Sequence, residues 1–164
     1  AMEPNQLAEV IDLMVKAQID VMPLPATDLH LGARNDAYNV RRAVTPIRKL
    51  RDAGVNICLG SNNIRNAFTP YGNGDLIQIA MLAVPVAHLG GADDLPTVLP
   101  MITTNTAKAL NIKDYGIAVG NRADLILLDT QRKADVLIDI PERLVVIKNG
   151  RITVEVKKEV TIHR

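Results

Sequence analysis

Two short runs constrain this chain more than anything else in it. Ile19 to Leu24 and Val55 to Gly60 are apolar at successive positions rather than alternate ones. A strand that reads this way is buried on both faces, which is the mark of parallel strands covered by helices. Each run sits between a helical pattern and a long polar loop. Leu7, Val10, Ile11, Met14 and Val15 recur at three- and four-residue spacing before the first run and predict an amphipathic helix. Thr45-Pro46 supplies an N-cap and a first-turn proline ahead of the second, and Gly54 supplies the stop. Alternating helix and strand of this kind argues for parallel βα units.

The remainder reads in order. A polar loop is expected over 26–44 and another over 61–74, then a helix from Asp75 to about Leu89 that Pro85 should kink or shorten. Asp93, Asp94 and Pro96 open a further helix, with the two aspartates read as caps. Thr104 or Asn105 caps a last short one through Leu110. Near Gly116 to Gly120 the character changes. The runs 123–129, 135–140, 144–148 and 152–157 are β-rich, and Asn149-Gly150 between the last two is a strong hairpin signal.

Hydrophobic residues make up 48% of the 164 and aromatics only 2%, so the core must be aliphatic. The formal charge is +1, and Lys157-Lys158 is flanked by Glu155 and Glu159, so no basic stripe suits nucleic acid. Cys58 is the single cysteine and lies in an apolar run, which predicts a buried inert thiol and excludes an internal disulfide. No apolar stretch reaches the length of a membrane span, and no signal peptide is visible, so a cytoplasmic setting is the expectation. Ala1-Met2 reads either as a tag remnant before a native start or as a cut at an internal methionine.

Several segments carry a resemblance. Leu29-His30-Leu31-Gly32-Ala33-Arg34-Asn35-Asp36, with Tyr38 and Arg41-Arg42, resembles the loop after the seventh barrel strand of cytosine deaminases. Cys58-Leu59-Gly60-Ser61-Asn62-Asn63 with Pro70-Tyr71-Gly72-Asn73-Gly74 is similar to the end of the eighth strand and its loop. Residues 103–110 and 115–126 resemble the link from barrel to β-domain across the amidohydrolase superfamily, and 146–151 its last hairpin. The resemblance implies the C-terminal portion of such a protein. Residues 1–116 would be the last two βα units of a (β/α)8 barrel, and 117–164 part of a small antiparallel β-sandwich. A whole barrel takes about 250 residues.

The family hydrolyses C–N bonds in cyclic amidines and amides with a divalent ion, iron or zinc, that activates water. Its His-x-His pair and acid/base residues belong to earlier strands, and no His-x-His occurs here. His30, His88 and His163 are far apart and are read as a loop, a helix and a terminal residue without ligand spacing. The one family ligand that falls within this chain is an aspartate, and the matching position is Asn62. Asn63 matches a position that hydrogen-bonds the substrate ring. In the chain alone both asparagines suit a turn. No glycine pattern fits a phosphate loop, and Ser61 has no nucleophile elbow around it. The expectation is a chain that holds no cofactor and is inactive alone, with a split enzyme or a non-catalytic interaction module as alternatives. Unpaired edges and apolar surface predict a partner, either further copies of itself or a complementary N-terminal barrel chain.

Overall fold

The computed structural model describes residues 2–42 and 44–163, so Ala1, on which the tag reading rests, lies outside the described residues. Helix α1 (Pro4–Lys16) begins with proline in its first turn and turns Ile11 inward, with Leu7 and Met14 half-buried beside it. The chain then runs extended through Val21. The backbone N–H of Val21 donates to the Asn56 carbonyl at 3.0 Å, and that of Cys58 to the Val21 carbonyl at 2.9 Å. Gly60 N–H reaches the Pro23 carbonyl at 3.3 Å. These bonds make the two apolar runs parallel, as their composition predicts. Only one residue pair, Val21 and Ile57, meets the full geometry of a bridge. Pro23 and Pro25 have no N–H to give, and this limits the ladder.

The two edges of this pair differ. On the far side of the second run, Leu59 N–H donates to the Met101 carbonyl at 2.8 Å. The Asn105 amide donates to the Ile57 carbonyl at 3.0 Å, and Asn56 returns a bond to the Asn105 carbonyl at 3.1 Å. A side chain thus completes the hydrogen bonding that a neighbouring strand would supply. The outer edge of the first run, at Asp20 and Met22, pairs with no backbone among the described residues.

Several sequence expectations are corrected. The loop expected over 26–44 begins as helix α2 (Pro25–Leu31), because Pro25 ends the extended run and also opens a helix in its first turn. Helix α3 (Ile47–Asp52) starts after Pro46, and Thr45 turns its hydroxyl toward Asp28 at 3.5 Å instead of capping. Asp94 stands at the N-cap position of α5 (Leu95–Met101), but its carboxylate does not bond the helix. It accepts instead from Arg48 at 2.7 Å and Arg51 at 2.8 Å, tying α5 to α3. The run 135–140, read as β, contains α7 (Asp135–Ile138), opened by the fork of Arg132 on Asp135 at 2.8 Å. Its Val136 and Leu137 are buried, and Leu137 belongs to the main core.

Helix α4 (Leu76–Val86) starts where predicted, and the structure adds a cap: the Asp75 carboxylate accepts from Ile77 N–H at 2.8 Å. Pro85 stands in the last turn, and the helix ends at Val86. Ile77, Ala80, Ala83 and Val86 are buried at three-residue spacing, and the small residues let neighbours approach closely. His88, expected on the helix, instead takes φ 57° beyond it, which turns Leu89 into the core. Helix α6 (Thr104–Ala109) starts after Thr103, with no side-chain cap. The core gathers Ile47, Leu50, Ile57, Leu59, Leu89, Val98 and Met101, aliphatic throughout as the composition requires.

Strands β1 (Leu125–Leu128), β2 (Arg143–Lys148) and β3 (Arg151–Glu155) form one antiparallel sheet in that order. Asn149 and Gly150 both take positive φ, 50° and 72°, as a two-residue hairpin turn demands. No described helix is long and apolar enough to cross a membrane.

Three carboxylates are held below the usual aspartate range by direct hydrogen bonds. Arg48 and Arg51 do this to Asp94, Arg41 to Asp36, and Lys148 with the Asn149 N–H to Asp124. The unfolded chain therefore binds protons more readily, so these groups stabilise the fold above the ordinary aspartate value of about 4 and lose that contribution as pH falls below it. Urea midpoints should be flat from neutrality to weakly acidic pH and then fall. Asp94→Asn should make the acid fall shallower.

Candidate functional site

At the carboxyl ends of the parallel runs lies an open depression lined by Met22, Leu24, Gly60, Ser61 and Asn62. Gly60 makes it possible. A Cβ there would stand 2.9 Å from Met22 Sδ and 3.3 Å from Leu24 Cδ2, so only glycine lets the two ends come together without displacing these side chains. Asn62 is exposed and forms part of this lining. Asn63, which sequence reading places beside it as a substrate contact, is spent locally: its Oδ1 accepts from the Asn66 amide at 2.9 Å.

Asn66 organises the following loop. Its Oδ1 accepts from Phe68 N–H at 3.0 Å and Thr69 N–H at 3.1 Å, which folds the chain back on itself. Thr69 is buried against Thr27 of α2, with hydroxyls 3.2 Å apart. The Tyr71 hydroxyl donates to the Ala26 carbonyl at 3.1 Å, and its ring meets His30 edge-on at 5.5 Å. The loop over 61–74 is therefore pinned to α2, the helix that sequence reading left as loop. Thr69 and Tyr71 do this pinning, and the only sequence sign of it was the resemblance carried by Pro70-Tyr71-Gly72-Asn73-Gly74.

The three histidines do not converge. His30 sits on α2, and His163 is exposed near the end of the chain. His88 Nε2 lies 2.6 Å from Arg42 Nη1, facing a guanidinium and not another metal-binding group. Cys58 is buried, and burial pushes its thiol above the ordinary range, so it is neither a thiolate nor a ready ligand. Among the described residues no three His, Cys, Asp or Glu side chains lie close enough to hold an ion. A hydroxyl and an amide at the depression do not fit iron or zinc, which take imidazole, carboxylate or thiolate.

A candidate site at the carboxyl ends of parallel segments, with its loops tied down to a neighbouring helix, is the arrangement of α/β enzymes. The chain belongs to the Amidohydrolase family, whose sequence pattern matches residues 1–154. It is 43% identical over 111 residues to N-isopropylammelide isopropyl amidohydrolase of Pseudomonas sp. strain ADP, covering 67% of this chain and 28% of that protein. It is 34% identical to pterin deaminase of Rhizobium rhizogenes over 92% of this chain and 34% of the relative. The crystal structure of 5-methylcytosine deaminase from Klebsiella pneumoniae liganded with 5-fluorocytosine superposes with a TM-score of 0.93 at 28% identity. That match covers 98% of this chain and 39% of the deaminase. The chain therefore spans about a third of the length of the curated relatives it matches.

Proposed function

We propose that this chain is the C-terminal portion of a cytosine-deaminase-like amidohydrolase that lacks turnover by itself. On this reading residues 1–116 are the last two βα units of a barrel and 117–164 part of its β-domain. The observation that carries it is the depression where the parallel runs end. It lies where such barrels keep their chemistry, yet it presents Ser61 and the Asn62 amide in place of acidic or imidazole groups. An amide accepts no proton and binds a divalent ion poorly, so the hydrolysis of a ring C–N bond has neither a base nor an ion site here. Purified chain supplied with zinc or iron and with cytosine, a pterin or N-isopropylammelide should release no ammonia or amine above the blank. Catalytic turnover in that assay would refute the reading.

The second reading is one part of a split enzyme, and the open edge at Asp20 and Met22 favours it. A parallel strand from another polypeptide could add there through backbone bonds, with Ile19 and Met22, both about half exposed, to cover. Co-expression with a polypeptide carrying the remaining barrel strands should give a complex that co-purifies. If the partner passes through unbound, the split reading fails while the inactive one stands.

A further inference from the structure

The chain holds two Asn-Gly pairs, Asn73-Gly74 and Asn149-Gly150, both exposed and both with glycine at positive φ. Asn-Gly is the sequence most open to intramolecular attack, because a residue without Cβ leaves its N–H unshielded. The two are held differently. Gly150 N–H donates to the Ala123 carbonyl at 3.0 Å, and Asn149 N–H donates to Asp124 at 2.8 Å, so the hairpin ties up the nucleophile of that pair. At the other pair the bonding favours reaction. Asp75 N–H donates to Asn73 Oδ1 at 3.0 Å, the oxygen on which negative charge grows when its carbon is attacked. Gly74 N–H has no backbone acceptor among the described residues.

We propose that Asn73 is a site of spontaneous modification and that the fold directs the reaction to it and away from Asn149. The Gly74 nitrogen attacks Asn73 Cγ, forming a C–N bond and passing its proton to solvent. The Cγ–Nδ2 bond breaks, ammonia leaves with a solvent proton, and a succinimide remains. Water then opens the ring at either carbonyl, giving aspartate or isoaspartate. No redox partner is needed, and one ammonia leaves per residue converted, so the release stops at stoichiometry and is distinct from turnover. The product sets a new carboxylate two residues from Asp75, the cap of α4 and the partner of Arg143.

The test is to hold the full chain at mildly alkaline pH, folded and in concentrated urea, and follow both peptides by mass spectrometry with isoaspartate detection. Folded protein should convert Asn73 faster than Asn149 by about fivefold or more, the factor for first releasing a net hydrogen bond. Urea should bring the two rates together by raising that of Asn149. Asn73→Gln should remove the first product and leave the second site unchanged. Equal rates in folded protein, or faster conversion at Asn149, would overturn the proposal. So would an Asn73 rate that rises in urea as steeply as that of Asn149.

Discussion

Asn62→Asp should raise hydrolysis by about 10²- to 10⁴-fold, the range in which a positioned acid or base contributes, once the chain is joined by the rest of a barrel. A suitable complement is the part of 5-methylcytosine deaminase that this chain does not match, co-expressed and purified with it; the deaminase's close superposition, at a TM-score of 0.93, makes the junction feasible. The reasoning is local. Asn62 already lines the depression where the parallel runs end, and its amide and a carboxylate have nearly the same shape. The exchange therefore adds an anionic oxygen with little repacking. In the chain alone the same substitution should do nothing, since among the described residues no cluster of His, Cys, Asp or Glu could hold an ion. Ammonia release by the complex that is equal for Asn62 and its aspartate variant would remove this residue from the chemistry. Turnover by the Asn62→Asp chain without a complement would show that the site is complete in ways its donor set does not suggest.

Leu89→Ala should cost about 2–5 kcal/mol in urea or thermal unfolding, the usual range for emptying a buried leucine site. Leu89 is fully enclosed among Val98, Met101 and the small residues of α4, in a core with no large aromatic ring to settle into the gap. Leu13→Ala is the matched control: on the same type of side chain, 63% exposed on α1, the loss should stay within about 0.5 kcal/mol. A loss at Leu89 no larger than at Leu13 would mean that the aliphatic core is loosely packed and collapses around the missing atoms. Because α7 contributes Leu137 to that same core, the loss should register in the second segment as well as the first.

Most of the frame was legible because it rests on patterns with strong physics behind them. The helical spacing of Leu7 to Val15, the helix start at Asp75 and the Asn149-Gly150 turn each point to one local geometry, and each is observed. What was missed shows where local signals compete. Pro25 closes one element and opens the next, and a sequence scan credits only the first role. Val136 and Ile138 are strong strand formers held in a helical turn by the burial of Val136 and Leu137 and by the Arg132–Asp135 fork, a contact that depends on the turn itself. Asp94 has the chemistry of a cap but finds two guanidiniums within reach, and nothing in its neighbours in sequence announces Arg48 or Arg51. At the candidate site Asn62 was legible by resemblance. The pinning of its loop through Thr69 and Tyr71 joins residues tens of positions apart, which no short-range pattern encodes.

The unequal edges of the two parallel runs also bear on how copies of this chain can combine. A sheet that is sticky along both margins grows without limit, whereas one margin here is stoppered by Asn105 and Met101. Two molecules meeting through these runs must therefore offer each other the same margin, related by a two-fold axis, and leave no third place to join. Contact along this seam saturates at a pair and cannot lengthen into a filament.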